Sequence, residues 1–287
     1  MAKRPPNPRP HPSAPNLQIP RPLEIAVIPD LHISPTSDEE IPRIVARMLD
    51  EARADVCVNV GDHFSFDSLA FQTKGQLCSV GHTFKADLES GIRANEVIFA
   101  PWMKARKRWP MRTVFICGNH EDKMRRTVER DFALAGLLHI DSLMLDRHYS
   151  DVVLYSGDHP RQDFSINGVT FAHYALNGAG KAMSAMALGA QLCRTLHSST
   201  VVGHSHRFSY EQQVISGGDR SGSRIHGLSA GCLVGEGPGD FHPYCGDYGR
   251  TQWARGMALL HRVENGDFDL EWVSLRRLRE LYGSGLR

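Results

Sequence analysis

The chain has 287 residues, of which 41% are hydrophobic and 23% charged, and its formal net charge is +1. That length supports one large domain or two small ones with ample core, in a composition ordinary for a globular protein. The near-neutral charge singles out no partner, no apolar run approaches the roughly 18 residues of a membrane span, and the basic N-terminus has no apolar stretch behind it to make a secretory leader.

Residues 1–22 hold eight of the 16 prolines and four basic residues with no acid. Such a segment cannot build a core and is expected to be an extended, disordered arm, solvated or resting on nucleic acid. One domain is expected over 23–287. "LEIAVI" reads as a buried strand ending at Pro29-Asp30. Ser37 and Glu40 have capping-box spacing, ahead of a helical pattern at Ile41, Ile44, Val45, Met48 and Leu49. "DVCVNV" (55–60) is a second strand, ending at Gly61-Asp62. Residues 85–108 read as a helix, and "TVFIC" (113–117) as a third strand that runs into Gly118-Asn119-His120-Glu121. A helix is expected over 125–138. "GVTFA" (168–172) is a strand ending at His173, and 180–196, rich in Ala and Met, reads as a helix with Met183 and Met186 in the core. "STVV" (199–202) is a strand ending at Gly203-His204-Ser205-His206. Residues 216–251, dense in glycine, read as a long functional loop, and "GMALLHRV" and "FDLEWVSL" flank Asn265-Gly266 as a hairpin. Alternating strands and helices indicate an α/β class with mixed sheets. The six cysteines, Cys57, Cys78, Cys117, Cys193, Cys232 and Cys245, form no CxxC pair. They read as free thiols of a reducing cytoplasm.

Five apolar strands thus end in groups able to bind metal: Asp30 and His32, Asp62, Asn119 and His120, His173, and His204 and His206. In α/β sheets the ligand site lies beyond the carboxyl ends of the strands. Two carboxylates, one amide oxygen and four imidazoles, with His120 left over, are too many donors for one tetrahedral ion. They suit two ions, and the mix of imidazole and carboxylate suits Mn, Fe, Zn or Ni.

The ordered motifs "PDLH", "GDH", "GNHE", "AHY" and "GHSH" resemble those of the calcineurin-like metallophosphoesterases, over residues 25–206. "GDHFSFDSLAF" and "GNHEDKMRR" are similar to phosphoesterases of tailed-phage genomes, which would place the chain in a host cytoplasm. The resemblance implies a four-layer αββα sandwich of two mixed β-sheets and a hydrolase with two divalent ions, Mn2+ foremost. It implies Asp30, His32 and His206 on the first ion, Asn119, His173 and His204 on the second, Asp62 bridging, and His120 catalytic. The arginine of the protein phosphatases' Gly-Asp-x-x-Asp-Arg-Gly motif is missing from "GDHFSFD", which argues against phosphoproteins. Ala172 and Tyr174 flank His173 where the family usually has a glycine.

Arg125 and Arg126 are weak candidates for a substrate phosphate, and "KARKRWP" (104–110) for a nucleic-acid backbone. His63 and Asp67 are candidates to orient a ligand, or simply to hydrogen-bond their loop. Glu121 is expected to serve structure, while His226, Asp240 and His242 lie in the glycine-rich stretch. The leading expectation is a phosphodiester or phosphomonoester substrate, with nucleotides or nucleic acid foremost. Its rivals are a small-molecule phosphomonoesterase and a non-catalytic binding or scaffold protein that reuses the fold. No assembly surface can be read from the sequence.

Overall fold

The computed structural model describes residues 17–71, 83–105, 112–155, 163–236 and 252–283, with the side chains of 104 and 105 outside the description. Two sheets make the frame. The first contains β1 (Leu23–Ile28), β2 (Val56–Asn59), β3 (Arg112–Ile116), β4 (Asp151–Val153), and the hairpin β10 (Gly256–Glu264) and β11 (Asp267–Ser274). Its order is β11-β10-β1-β2-β3-β4. Strands β1 to β4 are parallel, and β10 joins β1 antiparallel. The second contains β5 (Asp163–Ile166), β6 (Val169–Ala172), β7 (Ser199–Val202), β8 (Phe208–Val214) and β9 (Arg224–Ala230). Its order is β5-β6-β7-β9-β8, with β6, β7 and β9 parallel.

Side-chain alternation explains the layering. Along β1, Leu23, Ile25 and Val27 point toward the second sheet, where they join Phe164, Ile166, Phe171, Val201 and Leu228 in one core. Ala26 and Ile28 point the other way, into a core with α1 (Glu40–Ala52), α2 (Phe84–Ala105) and α5 (Leu275–Tyr282). On the outer face of the second sheet, α4 (Leu188–Leu196) sets Leu188 and Leu192 against Ala172 and Val202. The chain is therefore a layered α/β protein with two mixed sheets.

Several expectations need correction. Residues 17–22, assigned to the arm, lie against the domain: Leu17 bridges Ile166, the Ile19 N–H donates to Asn167 Oδ1 at 2.7 Å, and Arg21 pairs with Asp55. Residues 1–16 lie outside the described residues. Ser37 does not cap α1; its Oγ accepts from Ser34 N–H, while Asp38 Oδ1 accepts from Glu40 N–H. The helix expected over 125–138 is α3 (Lys123–Arg130), followed by a 3-10 turn at Phe132–Leu134. The helix expected over 180–196 begins only at Leu188. Ahead of it Asn177 Oδ1 accepts from Ala179 and Lys181 N–H, and Leu176 bridges Ala182, so the chain doubles back. Met183 is buried as expected, but Met186 is exposed. Within 216–251, residues 224–230 form β9, and 237–251, including Asp240 and His242, lie outside the description. Most of "KARKRWP", Cys78 and Cys245 lie outside it too. The other four cysteines are free and buried, and no described helix is long and apolar enough to cross a membrane.

Candidate metal centre

Strands β1, β2 and β3 are adjacent and parallel in one sheet, as are β6 and β7 in the other, so the five predicted ends emerge together. Backbone links fix the turns against each other. The N–H groups of Leu31 and His32 both donate to Asp62 O, and Leu233 N–H donates to Asp30 O. His32, Asp62, His204 and His206 all have left-handed backbones, with φ of 48°, 48°, 64° and 55°. That conformation costs energy for a residue other than glycine, and such strain clusters at functional sites. Gly118 is needed for a different reason: a Cβ there would stand 2.2 Å from Asp62 Oδ1.

The side chains converge in two groups around Asp62. In the first, His32 Nε2 and His206 Nε2 face each other at 2.9 Å, and His206 Nε2 is 3.1 Å from Asp30 Oδ2. In the second, His173 Nε2 lies 3.0 Å from Asn119 Oδ1 and 3.3 Å from Asp62 Oδ2. His204 joins it, with its ring centroid 5.1 Å from that of His173. Asp62 Oδ2 also lies 3.7 Å from His32 Nε2 and so faces both groups. Asp30, His32, Asp62, His173 and His206 are buried, and Asn119 and His204 are partly exposed. Ligand-capable atoms lie within 4.8 Å of one another in three sets: Asp30, His32 and His206; Asp62, His173 and His204; and His32, Asp62 and His120.

Hydrogen bonding decides what these atoms can accept. His173 Nδ1 is 2.8 Å from Val60 O, an acceptor only, so Nδ1 carries a proton. In the neutral ring Nε2 is then a bare lone pair aimed at an amide oxygen and a carboxylate oxygen. Three acceptors meeting at about 3 Å call for a cation or a proton between them. Burial works to lower the His173 pKa, but the charge and hydrogen bond of Asp62 outweigh it and lift it to about 9. The field at this point favours positive charge. Burial acts to raise the Asp62 pKa, yet His173, His120 and His32 hold it well below the usual carboxylate range. Burial, helped by His173, pushes His204 down to about 4, which keeps it neutral and able to ligate. Asp30 Oδ2 accepts from His204 N–H at 2.8 Å, while its buried Oδ1 has no hydrogen-bond partner. An unpaired buried carboxylate oxygen is costly unless a cation completes it. The buried His and Asp groups are thus fit to hold metal, and the second ring nitrogen of His173 is oriented by the Val60 carbonyl, as is common for metal-binding histidines.

His120 sits beside the cluster. Its N–H donates to Asp62 Oδ1 at 2.8 Å, and its ring packs edge-on against His32 at 4.3 Å between centroids. Glu121 is structural as expected: it accepts from the N–H groups of Asp62, Phe64 and Gly118. His63 is buried away from the cluster, against Gly91 O and Asn59, and burial pushes its pKa to about 4. Arg125 pairs with Asp122 and Glu129 and does not line the cavity above the cluster, whereas Arg126 does. His226 is held by Tyr210 and Asp267.

That cavity, about 440 Å³, also contains residues the sequence reading missed: Phe71, Lys123, Arg130 and Trp253. Trp253 packs edge-on against His206 at 4.4 Å. Lys123 was findable, being one helical turn beyond His120; Trp253 comes from a distant loop with no local signal. No family model matches this chain, and a search of curated proteins returns no match.

Proposed function

We propose that the protein is a dinuclear metal-dependent phosphoesterase with the four-layer fold of the calcineurin-like metallophosphoesterases. The observation that carries this reading is the meeting of His173 Nε2, Asn119 Oδ1 and Asp62 Oδ2, three acceptors with no donor among them in the neutral state. Asp30, His32 and His206 would hold one ion, Asn119, His173 and His204 the other, and Asp62 both. Imidazole, carboxylate and amide donors without thiolate suit Mn2+ first, with Fe, Zn or Ni as alternatives. When bound, such a pair of ions supplies Lewis acidity for the phosphate oxygens and lowers the pKa of attacking water.

The chain's own residues do the rest. The turns fix the donors before substrate arrives, so little reorganisation accompanies the reaction. His120 lines the cavity, where its ring would give a proton to the leaving oxygen as the phosphorus–oxygen bond breaks.

The test is hydrolysis of bis(p-nitrophenyl) phosphate and p-nitrophenyl phosphate by chelator-stripped protein reloaded with Mn2+. Metal-dependent turnover of either ester is expected. No turnover of either ester, in protein shown to hold two ions, would leave a non-catalytic metal protein in its place.

A further inference from the structure

The cavity does not stop at the metal-binding residues. It continues along one face of α3, where Lys123, Arg126, Thr127 and Arg130 recur at helical spacing. Facing them is Phe71, a large ring left 63% exposed, and the Arg130 guanidinium lies 4.5 Å from its centroid. Trp253 closes the end near His206. Among the described residues that line this groove, Asp62 is the one acid. Of the acids of α3 and its cap, Glu129 pairs with Arg125, and Asp122 pairs with Arg125 and with Arg126 of the groove. Arg126 is also tied to Asn119 O at 2.6 Å, which links the basic face to the cluster. No described carboxylate forms an ion pair with Arg130.

We infer that this groove binds a single-stranded polynucleotide, with backbone phosphates along Arg126 and Arg130 and a base stacked on Phe71. The inference rests on the phosphoesterase reading, and it names the substrate class. A row of cations beside an exposed aromatic ring is the arrangement that holds single strands without reading sequence. From Lys123 to Arg130 the face runs about 10 Å along the helix axis. A small monoester has one phosphate and would leave the far end of this face unused. A duplex keeps its bases stacked on each other and offers no face to Phe71.

The test uses the full chain, with and without Mn2+, and a fluorescein-labelled oligothymidylate of about 12 nucleotides. Fluorescence anisotropy reads binding without needing turnover. Binding should weaken with salt, and Arg130→Ala should reduce the log–log salt slope by about 0.7. Phe71→Ala should weaken binding about tenfold, as expected for loss of one stacked base. With Mn2+, the kcat/KM ratio of oligonucleotide to bis(p-nitrophenyl) phosphate should fall in both variants. Wild-type protein that fails to bind the oligonucleotide, binds duplex as tightly, or loses nothing in either variant would overturn the groove. Failure to hydrolyse either ester while anisotropy still reports strand binding would instead overturn the phosphoesterase reading and leave the groove standing.

Discussion

Lys123 Nζ stands 2.9 Å from His120 Nδ1, and both lie within 2.8 Å of the same acceptor, Ser65 O. An ammonium group only donates and a carbonyl only accepts. Nδ1–H therefore donates to Ser65 O, as His173 Nδ1–H does to Val60 O, Lys123 donates to the same oxygen, and Nε2 is the ring nitrogen left to face the cavity. Burial lowers the Lys123 pKa to about 8 against the pull of Asp67 and Asp62, so the amine is still charged at neutral pH. Lys123→Met should remove one of the two donors that hold the Ser65 carbonyl against the His120 ring, loosen the ring's position and lower kcat by about 10–100-fold. Metal content, read by mass spectrometry, should stay at wild type.

His120→Ala should lower kcat by about 10²–10⁴ while two ions are retained. Loss of one ion in this variant would make His120 a ligand, as its place beside His32 and Asp62 allows, and would remove it from proton transfer.

Asp62→Ala should empty both sites, because its Oδ2 faces His173 at 3.3 Å and His32 at 3.7 Å. Retention of one full equivalent of metal would refute the shared ligand.

Glu121 holds three buried N–H groups with one carboxylate. Glu121→Ala would leave them unpaired at about 1–3 kcal/mol each. A urea midpoint close to wild type would contradict that role, since the expected loss is several kcal/mol, on the order of a third of a typical domain's stability.

His226 supplies a pH signature. Burial lowers its pKa, and Asp267 restores it only in part. The unfolded chain, with a histidine pKa of about 6.5, then binds more protons than the folded one as the solution is acidified. Stability from this group is present above about pH 6.5 and lost below it. Asp267 has a lowered pKa, burial notwithstanding, through its bonds to His226 and Arg224, and its contribution fades only in stronger acid. Thermal melts from about pH 7 to 5 should show a fall in Tm that is smaller in His226→Gln.

The strands that carry the candidate site were legible because β1, β2, β3 and β7 are almost wholly apolar runs buried on both faces. Strand β8, FSYEQQV, lies at a sheet edge and is half exposed, so its composition carries no such run. Strand β9 was hidden by glycine. Gly227 looks like a loop residue in sequence, yet a Cβ there would stand 2.1 Å from Gly189 O, so the residue is what lets α4 approach the sheet. The donors of the cluster could be read because each follows a legible strand. The groove could not, since Phe71, Arg130 and Trp253 meet only once the chain is folded.

The pairing of β1 with β10 bears on how the chain is made. Glu24 and His261, joined by a 2.6 Å contact, are 237 residues apart. A ribosome adding about 5–20 residues per second needs on the order of 10–50 s to travel that distance. Throughout that interval one edge of β1, LEIAVI, is without its native neighbour. Nascent chains stalled before β10 should therefore be captured by chaperones, while those stalled beyond it and clear of the exit tunnel should be released.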